Sequence, residues 1–545
     1  MNRNYLLIFL LIFLLFLPLL DLFHPGLPIT HDGVDHVARI ANFYQNLQEG
    51  TIIPRWAANL NFGYGHPILM FLYPLPSYFA SLFYFLGFSF VDSTKLVFGV
   101  SFILSGLAMY LWLKSFLSLP SAFAGSLLYT FAPYRFVDLY VRGAIGEHMA
   151  FIFPPLVLYF LYKIAQNEKQ YWNLLGGSLS LAGLILAHNA ISLMFLPVII
   201  FYIIYLFWKL NKKKNFLLTA AGLFILGFVA SAFFWLPAFF EGKYTLRDIV
   251  TSNEVLNRFI TWKDMLYGPW SYGITGQFTV QFGILHWLVI ITAIPLAIFW
   301  YKKKNKNWVL VGIFLLAFLL TAFLMTDFSK IIWEKITILK KFQFPWRLLS
   351  LSVFFSAVLG AFIFSIIPQA GQKTGLIVLI AAVLLINKDY WHAKDYFYKP
   401  EVFYSGIYDK TTDTGESSPI WSVRLMEHRP GAHLEVIDGK AEIKEADRGS
   451  TVHNYKVLAS KKTKLRENTL YFPGWSVLVD GREVPIEFQD PNSRGLMTFG
   501  VEGGSHIINI TFKETRLRLI ADILSLSSLF VLIILGILKK KIWQN

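Results

Sequence analysis

The densest group of side chains that could do chemistry lies near the start of the chain, in residues 30–39. Its ionisable members are His31, Asp32, Asp35, His36 and Arg39. On a helix the last four would share one face, because they stand at positions i, i+3, i+4 and i+7. Helix capping explains either acid but not the flanking histidines. A carboxylate in this group can act as a general base, and a neighbouring histidine or arginine can bind a phosphate.

A second group occupies residues 134–148, directly before a predicted membrane span, and contains Arg142 and Glu147. One interpretation is an interfacial loop in which the arginine reaches lipid headgroups and Glu147 caps the next helix. Gly143 and Gly146 instead indicate a close approach of backbone, which a residue without a side chain permits. The sequence leaves both interpretations open.

Two further candidates stand at the ends of predicted spans. His188 ends one span, where a lone histidine is more often interfacial than catalytic. Arg347 follows Pro345 and Trp346 at the start of another, where a guanidinium is well placed to bind a lipid-linked phosphate. The sequence has no Walker loop, no glycine-rich dinucleotide motif opening a helix and no serine hydrolase elbow. These absences argue against ATP-driven transport by this chain.

The elements that must position these residues are membrane spans. Of the 545 residues, 55% are hydrophobic and 15% are charged, which leaves too little polar surface for a soluble globule. The net charge of +15 lies largely in short lysine clusters between apolar runs, a pattern typical of cytoplasmic loops rather than of a nucleic-acid surface. The chain has no cysteine, so disulfides and thiolate zinc sites are excluded.

We place the lysine clusters inside, at 212–214, 302–306, 373 and 539–541. This arrangement predicts about twelve crossings with both termini inside. The first span is then a retained signal anchor. If the apolar segment 67–87 were a further crossing, these lysine clusters would lie outside. The segment is therefore predicted to lie at the outer surface, within a long first outer loop, 24–93. The predicted spans are 4–23, 94–114, 120–134, 149–165, 171–187, 190–208, 216–239, 281–301, 308–325, 347–367, 374–388 and 516–538.

Residues 389–515 differ in composition from the rest and alternate apolar with polar side chains. Asp438-Gly439 and Asp480-Gly481 are typical of two-residue hairpin turns, in which glycine takes a positive φ. The sequence therefore predicts a polytopic α-helical domain, 1–388, an extracytoplasmic β-sandwich, 389–515, and a last span with a basic cytoplasmic tail, 516–545. The expected location is the plasma or inner membrane.

The chain begins with a first span and a long outer loop that opens with an acidic motif. A surface helix and a short second outer loop with another acid follow. This order resembles the GT-C superfamily of membrane glycosyltransferases. The detailed motifs are similar to bacterial membrane proteins labelled "6-pyruvoyl-tetrahydropterin synthase-related domain". The pterin enzymes themselves are soluble and use a three-histidine zinc site, so the label implies no pterin chemistry here. The motifs are His31-Asp32 with His36 and Arg39, Gly63-Tyr64-Gly65-His66-Pro67, and Tyr140-Val141-Arg142-Gly143-Ala144 with Glu147.

The GT-C resemblance implies that the acid of the first loop is a catalytic base or metal ligand, which falls on Asp32 or, as the neighbouring option, on Asp35. The second-loop acid falls on Glu147, with Asp138 as a competitor. Gly33 follows Asp32, so an adjacent acidic pair is missing and a metal-dependent mechanism is not indicated. The reaction would require no cofactor, although it would be compatible with a divalent metal.

The resemblance further implies a polyprenyl-phosphate-linked sugar as donor, taken from the lipid bilayer, and a glycan or protein as acceptor. The phosphate would meet Arg142, His188 or Arg347, while Asp32 removes a proton from the acceptor hydroxyl and the anomeric carbon is inverted. Two other hypotheses remain. A flippase for lipid-linked glycans would need ionisable residues or broken helices at mid-membrane and an internal repeat. A non-catalytic cell-envelope assembly protein would tolerate the loss of Asp32.

Overall fold

The computed structural model describes residues 3–210, 213–251, 255–273, 278–305 and 307–543 of the chain. Lys212 and Lys306, which belong to the lysine clusters used to predict topology, lie outside these residues.

Within residues 3–210 the chain is almost entirely helical. The first helix continues as a 3-10 helix over Leu17–Phe23, and residues Val137–Arg142 form a π-helical segment that ends at Gly143. The α-helices are α1 (Arg3–Phe16), α2 (Gly33–Gln48), α3 (Ile68–Phe71), α4 (Leu75–Phe85), α5 (Phe90–Leu113), α6 (Leu119–Thr130), α7 (Pro133–Phe136), α8 (Ile145–Ala150), α9 (Phe153–Ala165), α10 (Gln170–Ala187) and α11 (Asn189–Lys209).

The remaining helices include long apolar ones and short connecting ones, and the last helix follows the β-region. They are α12 (Lys213–Ala230), α13 (Ala232–Phe240), α14 (Arg247–Thr251), α15 (Trp262–Leu266), α16 (Ile284–Lys302), α17 (Asn307–Leu324), α18 (Lys330–Lys335), α19 (Leu349–Ser365), α20 (Gln369–Asn387), α21 (Val402–Ser405) and α22 (Arg516–Trp543).

Among the described residues, ten helical stretches are long and apolar enough to cross a membrane, and each overlaps a predicted span. The other two predicted spans, 120–134 and 171–187, fall on α6 and α10. With only 12 residues, α6 is about 18 Å long, shorter than a hydrocarbon core of about 30 Å. Eleven of its 12 residues are buried against neighbouring helices, so it has almost no lipid-facing side.

The apolar segment 67–87 is divided between α3 and α4, which have 4 and 11 residues. Neither is long enough to cross a membrane. Pro74 and Pro76 stand at the start of α4, where proline is tolerated, and α4 packs between α2 and α5. The prediction that this segment does not cross is consistent with these short helices.

The β-region consists of two antiparallel sheets that share one apolar core. The larger has the strand order β4-β5-β10-β7-β8 and the smaller β3-β6-β9. A small sheet of two strands, β1 and β2, with two residues each, joins the first loop to the start of this region. The strands are β1 (Leu27–Pro28), β2 (Tyr396–Phe397), β3 (Leu434–Asp438), β4 (Ala441–Arg448), β5 (Val452–Ala459), β6 (Thr463–Leu470), β7 (Trp475–Val479), β8 (Arg482–Val484), β9 (Leu496–Val501) and β10 (Gly504–Phe512).

One of the two predicted hairpins is confirmed. Val479 pairs with Arg482 across Asp480-Gly481, and both turn residues have positive φ, 51° and 79°. The hairpin predicted at Asp438-Gly439 is wrong, because β3 pairs with β6 whereas β4 pairs with β5 in the other sheet. That turn carries the chain from one sheet to the other.

Residues 398–433, predicted as part of the β-sandwich, carry only the short helix α21. Their backbone instead bonds to the first loop: the Asn61 N–H donates to the Lys410 carbonyl at 2.7 Å, and the Tyr408 N–H donates to the Asn59 carbonyl at 2.8 Å. The two regions are also joined through the β-core, where Trp56 packs against Trp475. The first loop and the C-terminal region therefore fold against each other.

Candidate functional site

A cavity of about 1170 Å³ lies where the first loop, the ends of several long helices and residues 412–416 meet. Its wall combines ten charged residues with aromatic, aliphatic and small ones. Six of the eight residues predicted as site residues line it: Asp32, His36, Arg39, Arg142, His188 and Arg347. The structure does not bring Asp35 or Glu147 to the cavity wall.

Asp32 stands immediately before α2, but its side chain makes no capping hydrogen bond. Its backbone N–H donates to the Arg142 carbonyl at 2.9 Å, and the His31 N–H donates to the Val141 carbonyl at 3.0 Å. The first loop is thus bound to the second through its backbone. The carboxylate is left free to face the cavity.

Two glycines permit this approach. Gly143 has φ 65°, and a Cβ there would lie 2.3 Å from the Thr30 Oγ1 atom. A Cβ on Gly146 would lie 2.0 Å from the ring of Tyr73. Both distances are far below van der Waals contact, so a side chain at either position would force the loops apart. The predicted close approach of backbone is confirmed at Gly143, where a Cβ would also lie 3.2 Å from the Gly33 backbone N, whereas at Gly146 the neighbour is the Tyr73 side chain.

The environment of Asp32 favours a carboxyl that can accept a proton. By surface area the residue is exposed, because it faces the cavity, yet protein surrounds the cavity on most sides. This burial raises the pKa of Asp32, and the positive charges of Arg142 and Arg39 oppose the rise without cancelling it. Desolvation of a carboxyl depends on the protein that surrounds it rather than on the area that it exposes. A raised pKa suits a general base.

Glu147 is fully buried and holds two arginines. It accepts hydrogen bonds from Arg142 Nη1 at 2.9 Å, from Arg347 Nε at 3.1 Å and from the Tyr134 hydroxyl at 2.5 Å. The Ser350 hydroxyl lies 3.2 Å away and donates to the Arg347 carbonyl at 2.6 Å. The three bonds occupy most of the lone pairs of the Glu147 carboxylate. Glu147 is therefore arranged to position the two guanidinium groups.

Asp138, the alternative to Glu147, is also buried and accepts a bond from Arg142 Nη1 at 2.6 Å. It does not line the cavity. Its position in the π-helical segment Val137–Arg142 brings it within one turn of the arginine that it holds. Such segments occur frequently at functional sites.

Arg142 and Arg347 present unused N–H groups to the cavity. Their side chains are only 7% and 5% exposed. Within the part of the chain that the structure describes, Arg142 Nε and Nη2 and Arg347 Nη2 make no hydrogen bond. The Arg142 guanidinium lies over the Trp346 ring at 4.6 Å, which fixes its plane. Two oriented guanidinium groups with free donors form a site for an anion with several oxygens.

His36 and Arg39 form a second basic group in the same wall. Arg39 Nη1 donates to His36 Nδ1 at 2.8 Å, so His36 is neutral and carries its proton on Nε2. Burial and the Arg39 charge hold the pKa of His36 well below its usual value. Arg39 also donates through Nε to the Thr412 hydroxyl at 3.3 Å and through Nη2 to the Thr412 carbonyl.

His188 and Asp35 have structural partners. His188 Nδ1 accepts the Ile191 N–H at 3.3 Å and thereby caps α11, while its ring stacks on Tyr73 with centroids 4.8 Å apart. Asp35 accepts a hydrogen bond from the Tyr408 hydroxyl at 2.7 Å. Of the two acids in the first motif, Asp32 is the one that faces the cavity.

Sequence reasoning missed the contribution of residues 412–416, which bring Thr412, Asp413 and Glu416 to the cavity. The available signal was the run of acids and hydroxyls in Thr412-Asp413-Thr414-Gly415-Glu416 inside an otherwise β-patterned region. In the described ranges, no group of three or more histidines and acids has the geometry to hold a metal ion.

The apolar helices, together with charged side chains buried among their ends, define a polytopic membrane protein. The chain belongs to the family described as "6-pyruvoyl-tetrahydropterin synthase related domain; membrane protein", whose model matches residues 69–394. The family indicated by the sequence motifs is thereby confirmed. Arg142, Glu147, His188 and Arg347 lie within the matched range, whereas Asp32 precedes it.

The chain is also similar to an uncharacterized protein of Lactococcus lactis subsp. cremoris (strain MG1363). The two are 26% identical over 302 residues, which cover 53% of this chain and 48% of the relative. The matched part therefore spans about half the length of that relative.

Proposed function

We propose that this protein is a membrane glycosyltransferase of the GT-C type that takes a sugar from a polyprenyl-phosphate donor and transfers it to a glycan or protein acceptor. The observation that carries the proposal is one cavity that combines a free carboxylate with two buried arginines whose N–H groups are unused. These are the parts needed to accept a proton and to bind a phosphate.

In this proposal Arg142 and Arg347 hold the phosphate of the donor through their free N–H groups, with Arg39 and His188 in the same wall. Asp32 removes the proton from an acceptor hydroxyl, and the oxygen forms a bond to the anomeric carbon. The bond from that carbon to the phosphate oxygen breaks, and the electron pair leaves with the polyprenyl phosphate. The arginines stabilise the charge that develops there, and the anomeric configuration is inverted.

Glu147 and Asp138 act through the arginines in this scheme, as positioning residues. The step uses energy already present in the donor, so it requires no nucleotide, and it remains compatible with a divalent metal. Compared with the expectation from sequence, the catalytic role thus narrows to Asp32, with Asp35 and Glu147 in supporting positions.

The proposal also includes a topology. The ten apolar helices, α10 and the segment formed by α6 and α7 in succession would give twelve crossings of the plasma or inner membrane, with both termini in the cytoplasm. The cavity and a β-sandwich formed by the two sheets would then face the outside, where lipid-linked sugars are used. Cysteine labelling of single-cysteine variants tests this arrangement, because the natural chain has no cysteine.

The decisive experiment uses the full-length protein in lipid nanodiscs with undecaprenyl phosphates that carry radiolabelled glucose, mannose or arabinose. Release of free undecaprenyl phosphate and transfer of label to cell-envelope glycan are measured together. Asp32→Asn should lower transfer by at least about 100-fold, because the base is lost. Asp327→Asn, an exposed acid outside the cavity, is the matched control.

Full activity of Asp32→Asn would overturn the assignment of the base and favour an assembly protein without catalysis. If the wild type moves labelled lipid between the leaflets of liposomes but never cleaves it, the protein is a flippase. If the wild type neither cleaves nor moves these lipids, the donor class is wrong.

A further inference from the structure

The wall of the cavity formed by residues 412–416 carries acids that the proposed donor site does not use. We propose that Asp413, with Glu416 beside it, binds the hydroxyl groups of a sugar acceptor in the cavity that holds Asp32. This inference rests on the proposed function and names the acceptor as a polyhydroxylated one. It concerns residues outside the range matched by the family model.

The turn that carries Asp413 is fixed in place. Thr412 is buried and has φ 64°, a left-handed conformation that β-branched residues rarely adopt. This conformation lets both its hydroxyl and its carbonyl oxygen accept bonds from Arg39. The same cavity holds Arg142 and Arg347, which are more than nine-tenths buried and keep unpartnered N–H groups. The cavity is therefore built for a polar ligand.

The Asp413 carboxylate is oriented but not saturated. Oδ1 accepts the Gly415 N–H at 2.8 Å and Oδ2 accepts the Ser417 N–H at 3.0 Å, while His66 Nε2 lies 3.4 Å from Oδ1. Oδ1 already faces two donors, whereas Oδ2 can accept a second hydrogen bond. The side chain is 9% exposed, and that part faces the cavity. Asp413 can thus accept bonds from hydroxyl groups of a ligand.

Asp413 and Asp32 differ in how they hold a proton. Burial alone would raise the pKa of Asp413, but His66 and the N–H groups of Gly415 and Ser417 lower it further than burial raises it. Asp413 therefore stays ionised and is a poor base, whereas the pKa of Asp32 is raised. Such a division assigns proton transfer to one carboxylate and orientation of the substrate to the other.

Glu416 adds a second acceptor and a nearby donor. Its Oε1 lies 3.1 Å from Arg247 Nη2, and its Oε2 accepts the Thr414 hydroxyl at 3.2 Å. Arg247 lines the cavity as well. Neighbouring hydroxyls of a sugar ring donate to carboxylates and accept from guanidinium groups, so this pair matches a vicinal diol. A metal ion fits less well, because backbone N–H groups already point at the Asp413 oxygens.

The test is saturation-transfer NMR with the full-length protein in nanodiscs and a panel of methyl hexopyranosides as probes. The wild type should give a signal with at least one sugar. Asp413→Asn should weaken that binding about tenfold, since it removes the charge from the hydrogen bonds. Asp413→Glu keeps the charge but moves it, so its affinity for the sugar should lie between those of the wild type and Asp413→Asn. Asp409→Asn is the control, because Asp409 is exposed, pairs with Arg429 and does not line the cavity.

Binding of undecaprenyl phosphate is measured on the same samples and should be unchanged by Asp413→Asn. The inference is overturned if no sugar of the panel binds the wild type or if Asp413→Asn binds it as tightly. It is also overturned if Asp413→Asn weakens undecaprenyl phosphate binding to the same extent, which would show a structural role. Failure of the wild type to bind undecaprenyl phosphate while it binds sugar would instead overturn the proposed donor.

Discussion

Two pairs of buried arginines, Arg55 with Arg518 and Arg142 with Arg347, differ in how completely their N–H groups are bonded. Arg55 donates to Glu514 at 2.9 Å, to Asp522 at 2.6 Å and to the Phe233 carbonyl at 3.0 Å. Every nitrogen of its guanidinium thus has a partner. Arg518 is equally saturated, by Glu241 and by the carbonyls of residues 473 and 513.

The saturated pair joins α22 to the first loop, to α13 and to the β-region, and it lies outside the cavity. The cavity pair is fixed on one side by Glu147 and leaves donors unused on the other. Burying an arginine without satisfying all of its donors costs free energy, which a ligand in the cavity could offset for the cavity pair. Arg135, outside the cavity, also keeps two unbonded nitrogens but packs against the Phe151 ring. The comparison contrasts arginines that stabilise the fold with arginines that are proposed to bind a ligand.

The largest expected effect is on turnover by Arg142→Gln. Loss of the guanidinium removes a preorganised donor to the leaving phosphate, so turnover of the polyprenyl-phosphate donor should fall by about 10²- to 10³-fold. Because Arg142 also pairs with the buried carboxylates of Asp138 and Glu147, the variant should lose stability too, and turnover is therefore compared per folded molecule. Activity assays and thermal unfolding in nanodiscs measure both. A variant that unfolds early but turns over normally per folded molecule would break the comparison.

Arg518→Gln should show the opposite behaviour. It leaves the Glu241 carboxylate buried without its charged partner, and breaking a buried pair in this way costs about 3–5 kcal/mol. Turnover per folded molecule should stay near the wild-type value. Arg55→Gln is a second member of the same class. A loss of turnover without loss of stability in either variant would contradict the structural assignment.

Glu147→Gln should lower both turnover and stability, each by less than the arginine variants do. The amide keeps the shape but removes the charge that holds two arginines, so turnover should fall by roughly 10- to 100-fold and unfolding should become easier by about 1–3 kcal/mol. The informative quantity is the ratio of the loss of turnover to the loss of unfolding free energy. If turnover is unchanged, Glu147 does not position the arginines for the reaction.

The pH dependence should report Asp32. Because the pKa of this base is raised, the protonated and inactive form persists to a higher pH than for an ordinary aspartate. The rate should therefore fall as pH decreases through that raised pKa, and recover above it. Arg39→Gln removes a positive charge that lowers the pKa, so the acid limb should move to higher pH. A limb that stays in place in this variant would exclude Asp32 as the titrating group.

The smallest expected effect concerns salts. Inorganic phosphate at millimolar concentration should protect Arg142 and Arg347 from an arginine-modifying dicarbonyl reagent by a few-fold, whereas chloride at the same ionic strength should not. Arg55 and Arg518, whose nitrogens are all bonded, should react slowly under both conditions. Modification is read by peptide mass spectrometry. Equal modification rates for all four arginines would contradict the distinction between the saturated pair and the cavity pair.

The sequence predicted the helical part well because membrane spans leave a strong signal in the form of long apolar runs and lysine clusters. At 120–134 the apolar run coincides with α6, which is almost entirely enclosed by protein, so its sequence signal does not require contact with lipid. The β-region was recognised from alternation. However, the pairing of β3 with β6 depends on long-range contacts that a local Asp-Gly signal cannot reveal.

The candidate site was predicted where spacing carries information. The i, i+3, i+4, i+7 pattern placed Asp32, His36 and Arg39 near one face, and the glycines at 143 and 146 indicated the contact between loops. Which of two acids faces the cavity depends on the Tyr408 hydroxyl that binds Asp35, 373 residues away. The role of Asp413 likewise depends on the return of the chain to the first loop, and no spacing within the sequence encodes it.

The bonds between Arg39 and Thr412 also set an order of events during biosynthesis. The partners are 373 residues apart, so at about 5–20 residues per second Arg39 is made roughly 20–75 s before its acceptors. During that interval the cavity lacks one wall while neighbouring helices already enter the membrane. A newly made chain therefore holds its proposed base before it holds the segment that would receive the sugar acceptor. In the proposed function, the cavity gains its acceptor wall only when synthesis has passed residue 416.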